Sequence, residues 1–104
     1  MKGKIHWLRA DGDEVIDPAD RPPQAQTMRL FVEGELEYVW VLFDGERTCM
    51  VVNETGAIRM ADRKPLPVNM AASKIYAAAN GRLGAPDIPR IHGNAVLLEK
   101  IHVD

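Results

Sequence analysis

The sequence predicts an α+β fold: one small domain over residues 1–104, with a mostly antiparallel sheet of about four to five strands and two helices. Three observations carry that expectation. Within residues 36–58, two β-rich runs flank Asp44-Gly45, a dipeptide suited to a type I′ hairpin turn, whose two central residues both need positive φ. Asn53-Glu54-Thr55-Gly56 supplies a second turn and the apolar run Ala57 to Met60 leaves it, so a three-strand meander is predicted at the centre of the fold. Asn69 then precedes the alanine-rich run Met70 to Ala79, a helix with a side chain at its start able to accept from an otherwise orphaned amide.

Taken in order, Lys4 to Arg9 reads as a first strand, with Ile5, Trp7 and Arg9 on one face and His6 and Leu8 on the other. Residues 10–24 combine Asp11, Asp13, Glu14, Asp17 and Asp20 with Gly12, Pro18, Pro22 and Pro23, a composition that predicts an acidic, proline-rich loop. Gln24 to Glu33 reads as a helix, opened by Pro22-Pro23 and stopped by Gly34, with Ala25, Met28, Phe31 and Val32 on one stripe. In the meander, Tyr38, Trp40 and Leu42 share one face and Val39, Val41 and Phe43 the other. Both faces are apolar, which predicts a strand covered on both sides, one of them by a partner chain where the fold supplies no layer. Trp40, Val41, Met50 and Val51 are the expected core.

Residues 61–68 contain two prolines and predict an extended connection. The following helix is expected to bury Ala71, Ala72, Ile75, Ala78 and Ala79, and Asn80-Gly81 to end it. Residues 82–90 form a loop, and a last strand runs from Ile91 to Val103, interrupted at Gly93-Asn94.

Composition narrows function by exclusion. With 46% hydrophobic and 27% charged residues, a chain of 104 residues can build one modest core without metal or disulfide support. A formal net charge of −2 predicts no strong affinity for nucleic acid or anionic membrane. The charge is uneven: residues 1–52 carry six Lys/Arg and ten Asp/Glu, and residues 53–104 seven and five. No run approaches a membrane span and no apolar stretch follows the basic N-terminus, so a cytoplasmic protein is expected.

A single cysteine, Cys49, excludes an internal disulfide and reads as a small buried hydrophobe. His6, His92 and His102 lack metal-ligand spacing, and counting from Asp11 the acidic loop places Ile16 and Pro22 where a calcium loop needs Gly and Glu. Ser73, the only serine, lies mid-helix, and the glycine motifs that cradle phosphates are absent. No catalytic residue, cofactor or metal is assigned.

Two groups remain as candidates. Asn53, Glu54, Asn69 and Asn94 lie at element boundaries, where polar side chains either satisfy backbone groups or face a ligand; Glu54 alone among them has the chemistry of a general base. Arg59, Arg63, Lys64, Arg82 and Arg90 form a basic set suited to an anion.

Three blocks occur in order: Val51-Val52-Asn53-Glu54-Thr55-Gly56, Leu66-Pro67-Val68-Asn69-Met70-Ala71-Ala72 and Ile91-His92-Gly93-Asn94-Ala95-Val96-Leu97. Together they resemble a family of small domains of unknown function found widely in bacteriophages and mobile elements. Its pattern is a strand ending in Asn-Glu-x-Gly, an Asn opening an alanine-rich helix, and a closing Gly-(Asn/Asp)-Ala-(Val/Leu) strand. The resemblance covers most of residues 24–103 and departs at Glu33-Gly34, where the family has two glycines, so nothing is carried over to that turn. It implies a phage or prophage setting, a host-cytoplasmic location and a stand-alone accessory protein, and it supplies no activity.

The expectation is therefore a non-enzymatic binding or interaction protein that associates with itself or a protein partner. Two alternatives stand beside it: a small-ligand or nucleotide binder, such as an inhibitor of host defence, and a weak nucleic-acid binder using the basic set.

Overall fold

A computed structural model describes residues 2–58, 64–79 and 90–103 of the chain. In chain order the elements are β1 (Lys4–Leu8), β2 (Glu14–Pro18), α1 (Ala25–Val32), β3 (Leu36–Phe43), β4 (Glu46–Asn53), α2 (Met70–Ala79) and β5 (Ala95–Glu99). The strands form one antiparallel sheet in the order β2-β1-β5-β4-β3, a small α+β domain.

The alternation of side chains divides the core between two faces. On one face Ile5, Cys49, Val51, Val96 and Leu98 pack under Met28 and Val32 of α1. On the other, Leu8, Val41, Met50, Val52, Ala95 and Leu97 pack under α2, which contributes buried Ala72 with Ile75, Tyr76 and Ala79 beside it. β5 lies at the centre, and because both faces are covered its run Ala95-Val96-Leu97-Leu98 is buried at every position.

The hairpin at Asp44-Gly45 is present as expected, with φ of 51° and 78° at the two turn residues. Val41, Met50 and Val51 are core as expected, and the uniformly apolar β4 lies inside the sheet. The helix after Asn69 also stands where expected, with Ala72 N–H donating to Asn69 Oδ1 at 3.0 Å.

Several expectations are corrected. The acidic loop contains a strand: β2 pairs with β1 around a tight turn in which Arg9 N–H donates to Asp13 O and Asp13 N–H to Asp11 Oδ1. The chain does not leave Asn53-Glu54-Thr55-Gly56 as a third meander strand. Ala57 still belongs to the turn, and the place beside β4 is taken by β5 (Met60 lies outside the described residues). β3 is an edge strand, so Tyr38, Trp40 and Leu42 are exposed and Trp40 is not core. On α2, Ala71 and Ala78 face solvent.

The last strand is shorter than expected, because Gly93 takes a φ of 87° and His92 forms only an isolated bridge to Val68. The stop after α1 is Glu33, in the left-handed region at φ 65°. Gly34 has a different reason to be glycine: a Cβ there would sit 2.6 Å from Asn53 Nδ2. The expected helix end at Asn80-Gly81 and the loop at residues 82–89 lie outside the described residues.

Candidate functional site

Three of the candidate asparagines act as joints between elements. Asn69 is fully buried; its amide nitrogen donates to the carbonyls of Leu8 and Gly93, each at 3.0 Å, while its oxygen caps α2. Asn94 donates to Phe31 O and accepts from Ala10 N–H, both at 2.9 Å, tying the entrance of β5 to the end of α1 and the exit of β1. Asn53 donates to Val32 O at 2.9 Å and accepts from Thr55 N–H at 2.8 Å, fixing the turn after β4. Each amide uses both its donor and its acceptor on protein groups.

Asn53 nevertheless borders a concavity. A cleft of about 250 Å³ opens between β3, β4, α2 and the approach to β5, lined by Glu37, Asn53, Glu54, Tyr76, Arg90 and His92 around an apolar floor of Val39, Val52 and Ile91. The fold thus brings together Asn53 and Glu54 from one candidate group and Arg90 from the other. It places Asn69 and Asn94 elsewhere, and Lys64 is exposed outside the cleft. Arg59, Arg63 and Arg82 lie outside the described residues.

The cleft wall is built by backbone pairing. Leu66 N–H donates to Gly56 O, Asn69 N–H to Ile91 O and Gly93 N–H to Pro67 O, so the extended connection joins the turn after β4 to the approach to β5. His92 Nδ1 donates to Leu66 O at 2.7 Å, which leaves Nε2 as the ring nitrogen open to another partner.

The second surface is the free edge of β3. A two-residue hairpin makes Phe43 and Glu46 a hydrogen-bonded pair, so Val41, Val39 and Glu37 also pair with β4 through their backbones. The N–H and C=O groups of Tyr38, Trp40 and Leu42 consequently point to the open side of the sheet. The side chains of the same residues are 46%, 50% and 49% exposed. They lie on the α1 face of the sheet, in the rows of Val51 and Cys49, but α1 buries only Met28 and Val32 there and leaves them uncovered. The Arg47 guanidinium stands 4.2 Å from the Trp40 ring centroid, a cation–π contact on this apolar strip.

No family of known proteins, no curated protein and no solved structure matches the chain. The site must therefore be read from its chemistry.

Sequence reasoning missed one cluster. His6 is buried on β1 with Nδ1 3.0 Å from Glu14 of β2 and Nε2 2.7 Å from Glu99 of β5, and its ring meets the edge of Phe43. These are diagonal cross-strand neighbours, and they tie three strands together. Only the register relates residues so far apart in sequence. Among the described residues no group of three or more His, Cys, Asp or Glu is suited to a metal ion. Cys49 is buried, and burial pushes its thiol up, away from the reactive thiolate. Among the described residues no helix is long and apolar enough to cross a membrane.

Proposed function

We propose that this chain is a non-enzymatic interaction protein whose working surface is the β3 edge, and that a second copy of the chain occupies that edge. The observation that carries the reading is the coincidence, on Tyr38, Trp40 and Leu42, of outward backbone groups with half-exposed apolar side chains. An unpaired, apolar edge eight residues long is a template for another strand.

Self-pairing suits the sequence of the strand. In an antiparallel pair with Trp40 on the two-fold axis, Tyr38 of each copy stands opposite Leu42 of the other and Glu37 opposite Phe43. Aromatic and aliphatic groups face each other, and no carboxylate of β3 faces another. Covering Tyr38 and Trp40 withdraws on the order of 200 Å² of apolar surface per copy, or about 10 kcal/mol gross for the pair. Association costs roughly 4–15 kcal/mol, so the main-chain bonds and Leu42 decide the balance and a micromolar dimer is the expected outcome. The phage-type setting implied by the three sequence blocks is compatible with such an accessory dimer.

Sedimentation velocity of the full chain tests this. The wild type is expected as a dimer at about 100 μM and Trp40→Lys as a folded monomer, its self-affinity reduced at least about a hundredfold. A wild type that stays monomeric at that concentration, or a Trp40→Lys dimer of unchanged affinity, overturns the proposal.

A further inference from the structure

The cleft between β3, the turn after β4 and the approach to β5 lies on the α2 side of the sheet, away from Tyr38, Trp40 and Leu42. It has an apolar floor and a small number of polar groups directed at it, the usual constitution of a small-molecule site. The polar groups are of three kinds. Glu37 and Glu54 supply carboxylates, Arg90 a guanidinium, and His92 the ring nitrogen Nε2, its Nδ1 being bonded to Leu66 O. Among the described residues, Glu37, Glu54 and Arg90 have no ion-pair partner.

This charge pattern selects a ligand class. Two carboxylates against one guanidinium repel a polyanion, so a nucleotide is the wrong chemistry for these walls. A ligand with one ammonium and one carboxylate satisfies both signs, with its ammonium on Glu37 or Glu54 and its carboxylate on Arg90. A bidentate guanidinium–carboxylate contact would fix its orientation. A cavity of about 250 Å³ admits only a small molecule, and Val39, Val52 and Ile91 offer an aliphatic side chain a place to lie.

We propose that this cleft binds a small zwitterion of amino-acid size, held by its ammonium on Glu37 and Glu54 and by its carboxylate on Arg90. The cleft opens on the face of the sheet opposite Tyr38, Trp40 and Leu42, although Glu37 and Val39 of β3 line it.

Amide chemical-shift titration of the full chain with free leucine, N-acetyl-leucine, leucinamide and ADP tests it. Free leucine is expected to saturate below about 10 mM, with the largest shifts at Glu54, Ile91 and His92, and each blocked form to bind at least about tenfold more weakly. Glu54→Gln and Arg90→Gln, both at exposed positions, are expected to weaken leucine about tenfold and to leave the sedimentation of the protein unchanged. The proposal fails if leucine gives no saturable shift, if the blocked forms bind equally well, if ADP is the better ligand, or if neither variant weakens leucine. The same titration of Trp40→Lys separates the two readings: leucine binding in a wild type that proves monomeric overturns only the dimer, and no saturable shift in either protein overturns only the cleft.

Discussion

The sheet has two edges, and they are built on opposite principles. β2 is five residues long, carries Glu14 and Asp17, and ends at Pro18, which has no amide proton to offer a neighbour. Trp7 Nε1 donates to Asp17 Oδ2 at 3.0 Å and His6 meets Glu14, so the charged groups of the edge are also bonded inward. β3 is eight residues long, and its Tyr38, Trp40 and Leu42 present apolar side chains beside open backbone groups. Short length, charge and proline are the means by which sheets suppress unwanted pairing. β2 uses all three, whereas β3 carries neither charge nor proline over residues 38–42. Since both edges belong to one sheet, this difference is what the proposed dimer rests on.

Disarming β2 gives the largest effect. With one open edge a two-fold dimer closes, because each copy uses its only template. With two open edges, pairing no longer closes and runs on as an open chain of copies. Asp17→Val combined with Pro18→Val is therefore expected to convert a dimer into species of indefinite size at about 100 μM, visible as turbidity and a broad sedimentation boundary. Adding Trp40→Lys to that pair is expected to bring it back to a closed dimer, now through β2. A double variant that sediments like the wild type would show that β2 is not what limits assembly.

The two edges also differ in how much of them the sequence discloses. The β3–β4 hairpin is legible from Asp44-Gly45 alone, because its turn chemistry is local. The β1–β2 hairpin has a comparable signal in Asp11-Gly12, followed by β-branched Val15-Ile16, but five acidic residues and three prolines over residues 10–24 read as loop. The sequence predicts Trp40 in the core because an apolar alternation shows that a face wants cover without showing whether α1 is long enough to supply it. Asn69 was recognisable as a cap from its place before an alanine run. Its bonds to Leu8 and Gly93, like the meeting of His6 with Glu14 and Glu99, depend on strand order, which no local pattern encodes. The cleft follows the same rule: Glu54 and Arg90 belong to separate candidate groups in the sequence, and only the fold brings Glu37 and His92 to them.

A second change tests whether the inward bonds of β2 hold that edge in place. His6→Ala leaves Glu99, whose side chain is only 14% exposed, without its 2.7 Å partner and opens space beside Phe43. A loss of about 2–3 kcal/mol is expected in urea unfolding, the range for a partly buried charged group left unpaired. The edges should respond unequally: β2 amides are expected to exchange faster than in the wild type by more than the global loss explains, while β3 amides follow the global change. Equal acceleration at both edges would show that β2 is held by its backbone ladder alone.

The smallest expected effect concerns the approach to β3. Glu33 occupies the left-handed region at φ 65°, where a side chain with a Cβ is strained and glycine is not. It also sets a carboxylate at the C-terminus of α1, the negative end of the helix dipole. Glu33→Gly removes both penalties, though the added freedom of the unfolded chain offsets part of the gain. A net stabilisation of about 0.5–1 kcal/mol is expected in urea unfolding, with the sedimentation of the dimer unchanged, because Glu33 precedes the strand and lies outside the paired segment 37–43. Destabilisation would mean that the exposed Glu33 side chain contributes more than its backbone strain costs. A change in dimer affinity would extend the working edge of β3 back into the turn, and the contrast with β2 would then begin before Leu36.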